Sequence, residues 1–130
     1  MDNVINKVSR VIKTSELIWQ DMQHQELFRI IESLAIKPEM KIIHRLSNYV
    51  NDHFSIEEAY MKQLHFPDIE LHIKAHRDFE YKIKSFISTS CCFDEKCAIE
   101  LSEYLDSWLI NHILSVDKNF EAFVLQSNYK

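Results

Sequence analysis

Two pairs of metal-ligating side chains recur in this chain at a spacing of four residues. His53 and Glu57 form one pair, and His72 and His76 form the other. Residues four apart lie on the same face of an α-helix, about one turn apart, so each pair directs two donors the same way. Imidazole nitrogen and carboxylate oxygen are ligands of first-row transition metals. Each pair alone is a weak signal, because the chain has seven histidines and His76 with Glu80 repeats the spacing.

These polar residues fall on the apolar faces of amphipathic segments. Apolar residues recur at helical spacing from about Ser15 or Asp21 to Ile36, from Glu39 to Leu64, from Asp68 to Ser88, and after Asp94. Five histidines and one glutamate occupy inward positions in these segments: His24, His53, Glu57, His72, His76 and His112. Gln20 also falls on the inward face of the first segment. Burying an unpaired polar group costs about 1–3 kcal/mol, and a small domain has a total stability of only about 5–15 kcal/mol. A shared metal would satisfy all six together.

Asp117 adds a second carboxylate but follows His112 by five residues. In a regular α-helix the two side chains would point about 140° apart around the axis. Either Asp117 reaches round from its own position, or a local π-bulge aligns residue i with residue i+5. The spacing therefore predicts an irregularity of the helix between His112 and Asp117.

The number and chemistry of the ligands narrow the choice of metal. Five histidines and two carboxylates are too many for one tetrahedral zinc and too rich in nitrogen for calcium or magnesium. Two first-row ions that share two bridging carboxylates fit this count. The ferritin-like carboxylate proteins require a Glu-x-x-His motif on each of two helices. No histidine here has a glutamate three residues before it, so a ferritin-like site is excluded.

Composition supports a helical fold. The 130 residues include no glycine and two prolines, which disfavours an all-β fold rich in tight hairpins and excludes phosphate-binding glycine loops. Long amphipathic segments with short connections predict an all-α, antiparallel up-down four-helix bundle with an N-terminal arm at residues 1–14. Residues 1–130 are expected to form a single domain. Asp94 is the expected N-cap of the fourth helix.

The charge and the apolar pattern exclude several classes of partner. A net charge of −5 argues against binding to nucleic acid or to an anionic membrane surface. No apolar run approaches the roughly 18 residues that span a bilayer, and the N-terminus lacks the features of a signal peptide. The three cysteines are clustered at Cys91, Cys92 and Cys97, which is a poor disulfide framework, so a cytoplasmic location is expected. No particular protein partner is indicated.

Four parts of the chain together resemble the hemerythrins, and most closely their single-domain bacterial members. The resemblance is carried by His24, HFSIEEAYM at 53–61, HIKAH at 72–76 and WLINHILSVD at 108–117. It extends from about Asp21 to Phe123. The resemblance implies two non-haem iron ions with an oxo or hydroxo bridge, in a bundle that binds O₂ reversibly for transport, storage or delivery.

The resemblance also implies a role for each ligand. One iron would take His72, His76 and His112, and the other would take His24 and His53 and keep an open position for O₂. Glu57 and Asp117 would bridge the two ions. Five apolar residues match the pocket positions of the family: Leu27, Phe54, Trp108, Leu109 and Ile113.

Two alternative functions remain open at this point. The same centre could sense O₂, redox state or nitric oxide, or it could be a diiron enzyme that acts on peroxide or nitric oxide. An enzyme needs an acid or base near the open iron, and no inward carboxylate beyond the ligands is expected, although Glu80 at the rim could serve. Glu58 is expected either in solvent or as a partner of a ligand. His44 is expected on the surface, and His65 at a helix end.

Overall fold

The computed structural model describes residues 13–89 and 94–127, and these residues form four helical rods. The first three rods are α1 (Ile18–Ile36), α2 (Met40–Gln63) and α3 (Ile69–Thr89). The fourth rod comprises α4 (Glu95–His112), a π-helical turn (Ile113–Asp117) and α5 (Lys118–Leu125). The described residues contain no strand, which confirms the predicted all-α class, and the helices begin and end close to the predicted limits.

Two apolar clusters lie at opposite ends of the bundle. The small cluster consists of Leu17, Met61, Leu64, Phe66, Phe120 and Val124. The large cluster includes Leu27, Ile31, Leu34, Ile43, Leu46, Phe54, Phe79, Ile83, Leu101, Leu105, Leu109 and Ile113. The chain passes from the small to the large cluster along α1 and α3, and from the large to the small cluster along α2 and the fourth rod. Successive rods are therefore antiparallel, as predicted for an up-down bundle.

Every rod places at least one ligand candidate between these two clusters. On α1, His24 stands between Leu17 of the small cluster and Leu27 of the large one. On the fourth rod, Asp117 stands between Ile113 and Phe120. With α1 packed against α2 and α4, and α2 packed against α3, the bundle brings these positions to one level. The polar centre is therefore enclosed by apolar side chains above and below.

The end of α2 is a Schellman turn built without glycine. His65 adopts a left-handed conformation with φ of 57°. Its N–H donates to the carbonyl of Lys62 at 3.2 Å, and the N–H of Phe66 donates to the carbonyl of Met61 at 3.0 Å. Met61 and Phe66 are both buried in the small cluster. The turn thus reverses the chain and sets the start of α3, which carries His72.

The start of α4 is capped as predicted. The Oδ1 atom of Asp94 accepts a hydrogen bond of 2.8 Å from the N–H of Cys97. Residues 1–12 of the predicted arm, together with Cys91 and Cys92, lie outside the described residues. No helix in the described part of the chain combines the length and apolar character that a membrane crossing requires.

Candidate metal centre

The bundle brings all seven ligand candidates together in its interior. All seven residues are at most 4% exposed: His24, His53, Glu57, His72, His76, His112 and Asp117. Their donor atoms form two groups, and within each group all the donors lie within 4.8 Å of one another. The first group consists of Glu57, His72, His76, His112 and Asp117, and the second consists of His24, His53 and Glu57.

Glu57 presents a different oxygen to each group of histidines. Its Oε1 atom lies 3.1 Å from Nε2 of His76 and 3.4 Å from Nε2 of His72. Its Oε2 atom lies on the side of His53, 3.7 Å from Nε2 of that residue. A carboxylate placed in this way is suited to bridge two ions.

Asp117 spans the same two groups. Its Oδ1 atom lies 3.1 Å from Nε2 of both His72 and His112. Its Oδ2 atom lies 2.9 Å from Nε2 of His24. The π-helical turn between His112 and Asp117 makes this approach geometrically feasible, and it confirms the irregularity that the five-residue spacing predicted.

The donor atoms fit a metal because protein atoms alone do not satisfy them. Seven buried atoms at the centre have no hydrogen-bond partner in the described structure: Nε2 of His24, His72, His76 and His112, Oε1 of Glu57, and both carboxylate oxygens of Asp117. Buried polar atoms are nearly always hydrogen-bonded, so a cluster of seven such atoms that face one another needs another partner. Imidazole nitrogens together with carboxylate oxygens are suited to first-row transition ions.

The electrostatics of the cluster keep the two carboxylates ionised. Burial raises the pKa of Asp117, but the imidazoles of His112, His24 and His72 lower it by a larger amount. The pKa of Asp117 is therefore well below its usual range. Burial lowers the pKa of His53 to about 4, so this imidazole is neutral at pH 7. Burial also opposes the charge on His72, yet Asp117 and Glu57 raise its pKa to about 9. The centre therefore combines negative charge with nitrogen donors.

Hydrogen bonds to the outer ring nitrogens orient three of the imidazoles. Nδ1 of His53 lies 2.5 Å from Oε1 of Gln23, and Nδ1 of His76 lies 2.8 Å from Oε2 of Glu58. Amide and carboxylate oxygens accept hydrogen bonds, so each Nδ1 carries the ring proton and donates the hydrogen bond. The lone pair of each ring is then left on Nε2, which faces the centre.

The third oriented ring is that of His24. Its Nδ1 atom lies 2.9 Å from the hydroxyl of Thr14, and that hydroxyl donates to Asp21 at 2.9 Å. Since the hydroxyl proton is used by Asp21, Nδ1 of His24 donates to the oxygen of Thr14. The segment before α1 therefore helps to orient the imidazole of His24.

The family profile described as "Hemerythrin HHE cation binding domain" matches residues 18–124. The chain belongs to the hemerythrin family. It is 30% identical to a bacteriohemerythrin of Campylobacter jejuni over 111 residues, which cover 79% of this chain and 84% of that protein. It is also 30% identical to the myohemerythrin of Theromyzon tessulatum over 113 residues, which cover 85% and 88% of the two chains. No solved structure matches the chain at a comparable level of significance.

Membership of the hemerythrin family implies that the cluster binds non-haem iron. The pocket candidates Leu27, Phe54, Leu109 and Ile113 are buried, and Trp108 is partly buried. Phe54 stacks on His76 with ring centroids 3.7 Å apart, and Trp108 stacks on His112 at 4.6 Å. The aromatic members of the set thus cover two of the imidazoles directly.

The sequence of this hemerythrin does not predict two further buried carboxylates, Asp106 and Glu121. Each is 5% exposed, so the expectation that no inward carboxylate exists beyond the ligands is wrong. Glu121 accepts from the N–H of Glu16 at 2.7 Å and from Lys118 at 2.8 Å, so it anchors the segment before α1. Glu121 lies four residues, or one helical turn, after Asp117, and this spacing is the sequence feature that could have predicted its burial.

The outlying residues are placed largely as the sequence predicted. Of the two alternatives for Glu58, exposure is wrong, because it is buried and contacts Arg77 and the ligand candidate His76. His44 and His65 are exposed. Glu80 accepts a hydrogen bond of 2.8 Å from Arg77. Gln20 was recognised as inward-facing, but its contact with Glu57 was not foreseen.

Proposed function

We propose that this hemerythrin holds two iron ions and binds O₂ reversibly. The proposal rests on the placement of the two carboxylates. Glu57 and Asp117 each direct one oxygen toward one group of histidines and the other oxygen toward a second group. The first group is His72, His76 and His112, and the second is His24 and His53. His72, His76 and His112 would hold one ion, and His24 and His53 would hold the other. The second ion would have one protein ligand fewer, which leaves a position for a small ligand.

When bound, the iron pair supplies the two electrons that reversible O₂ binding requires. The protein contributes imidazole ligands and an enclosed apolar interior. Phe54, Leu109 and Ile113 are almost fully buried, which supports the exclusion of water and protons from the centre. Hemerythrins are mainly oxygen-binding proteins rather than enzymes, and this agrees with a binding role.

Anaerobic loading with Fe(II) followed by exposure to O₂ tests the proposal. We expect two irons per chain and a visible charge-transfer band that appears with O₂ and disappears when O₂ is removed, over repeated cycles. His24→Ala should lower the iron content to one and abolish the band. His44→Ala is the matched control, because His44 is exposed on α2 and should leave both unchanged.

Other outcomes would overturn this function. Steady consumption of O₂ or peroxide, without a reversible band, would indicate a diiron enzyme instead. One iron per chain in the unmodified protein would contradict the assignment of the two sets of histidines. Full iron content in His24→Ala would remove His24 from the ligand set.

A further inference from the structure

Gln20 is a buried amide in direct contact with a proposed bridging carboxylate. Its side chain is fully buried on α1, one turn before His24. Its Nε2 atom donates to Oε2 of Glu57 at 2.7 Å. The two residues are on different helices, so the contact connects α1 to the bridging ligand on α2.

The orientation of the Gln20 amide is fixed by a second contact. Ser15 Oγ accepts from the N–H of Leu17 at 3.0 Å, and its hydroxyl donates to Oε1 of Gln20 at 2.7 Å. The reverse orientation of the amide would set its oxygen against a carboxylate oxygen at Glu57. Ser15 therefore holds Gln20 as a donor toward Glu57, in a chain of hydrogen bonds that begins at a backbone N–H.

We propose that Gln20 is a positioning residue that weakens Glu57 Oε2 as an electron donor and so favours the reduced state of the iron pair. A hydrogen bond donated to a ligating carboxylate withdraws electron density from it, and partners of this kind tune the metal that the ligand holds. A weaker anionic donor stabilises the ferrous state relative to the ferric state.

The effect is directed to one of the two ions. Oε1 of Glu57 faces His72 and His76, whereas Oε2, which carries the Gln20 hydrogen bond, faces His53. The weakened oxygen is therefore the one presented to the ion with two histidines. This inference rests on the proposed function for the presence of iron, but it does not require that O₂ bind reversibly.

The reduction potential of the iron-loaded protein tests the proposal. Gln20→Met replaces the amide with a side chain of similar length that cannot donate. We expect a shift to lower potential in a spectroelectrochemical titration, with autoxidation faster by about threefold to tenfold, as expected for one hydrogen bond. Ser102→Ala is the control, because it removes a buried hydroxyl that donates to the carbonyl of Ile99 and should not shift the potential.

Ser15→Ala provides a second test that leaves Gln20 in place. Without its anchor the amide is no longer held as a donor, so a smaller shift to lower potential is expected. If Gln20→Met does not fold or does not retain iron, the Ser15→Ala result decides. An unchanged potential in an iron-replete Gln20→Met protein overturns the proposal. Where Ser15→Ala decides, an unchanged potential in that variant overturns it. Because the potential is measured without O₂, a failure of reversible O₂ binding leaves this test intact.

Discussion

Oδ1 of Asp117 lies 3.1 Å from Nε2 of His112, although five residues separate the two along one rod. A regular α-helix would turn these side chains away from each other. The π-helical turn Ile113–Asp117 widens the helix by one residue and returns Asp117 to the face of His112. The residues after the turn continue with Phe120 and Val124 in the small cluster, so the core contacts of the rod are maintained.

The alignment of Asp117 predicts opposite effects for a deletion and an insertion. Leu114 lies within the turn and is 65% exposed. Its deletion should convert the π-turn to an α-helix in which His112 and Asp117 are four residues apart and still share a face. We expect the variant to retain both metal ions. An alanine inserted after Leu114 should rotate Asp117 by about 100° and reduce metal content. Metal analysis of the reconstituted proteins compares the two, and equal content would contradict this role of the turn.

Glu58 is expected to matter for metal affinity through His76. Its carboxylate accepts from Nδ1 of His76 and also pairs with Arg77. Removing an outer partner of a ligating histidine costs about tenfold to 100-fold in metal affinity, so Glu58→Ala should weaken binding to that extent. Glu80→Ala is the matched control, since Glu80 also pairs with Arg77. Competition with a chelator measures both affinities, and equal losses would assign the effect to Arg77 rather than to His76.

The ligand candidates were predictable because helical periodicity is a strong constraint. His53 and Glu57, or His72 and His76, share a face in any regular helix, and that face was already marked by apolar neighbours. The same geometry made the five-residue spacing of Asp117 conspicuous and predicted the irregular turn. The antiparallel order followed from short connections between long helices.

Partners across helices were not predictable in the same way. Periodicity placed Gln20 on the inward face of α1, but its contact with Glu57 depends on side-chain rotamers and on the packing of α1 against α2. Glu58 was ambiguous for a related reason. It is turned about 100° from Glu57, at the edge of the buried face, and its burial depends on cover from the neighbouring helix α3, which carries His76 and Arg77.

The left-handed conformation of His65 predicts that glycine would be stabilising at this position. A non-glycine residue in this region pays a steric cost of about 1–2 kcal/mol, and His65 is exposed. His65→Gly should therefore raise the free energy of unfolding by roughly 0.5–1 kcal/mol after the greater flexibility of the unfolded chain is included. His44→Gly, at an exposed position inside α2, should instead lower it by roughly 0.5 kcal/mol. Denaturant titration of both variants measures the difference. Destabilisation by both would show that the His65 side chain stabilises the turn.

We expect the apolar residues beside the ligand candidates to slow autoxidation of the iron-loaded protein. Ile113 is 3% exposed and follows His112 directly. Threonine and valine have nearly the same shape, so Ile113→Thr and Ile113→Val lose similar packing and differ in one hydroxyl. If an apolar lining keeps water and protons from the centre, the threonine variant should autoxidise about fivefold faster than the valine variant, equivalent to roughly 1 kcal/mol of barrier.

The same reasoning applies to Leu109, which is also 3% exposed. Leu109→Ala should autoxidise faster than the unmodified protein, whereas Leu34→Ala should lose comparable stability without this change. Leu34 is fully buried on α1 but lies ten residues, or about 15 Å, beyond His24. Stopped-flow and slower optical recordings of the ferrous proteins in air give the rates, and unfolding curves give the stabilities. Equal rates for the Ile113 pair, together with equal rates for the two leucine variants, would mean that water exclusion by these side chains does not control oxidation.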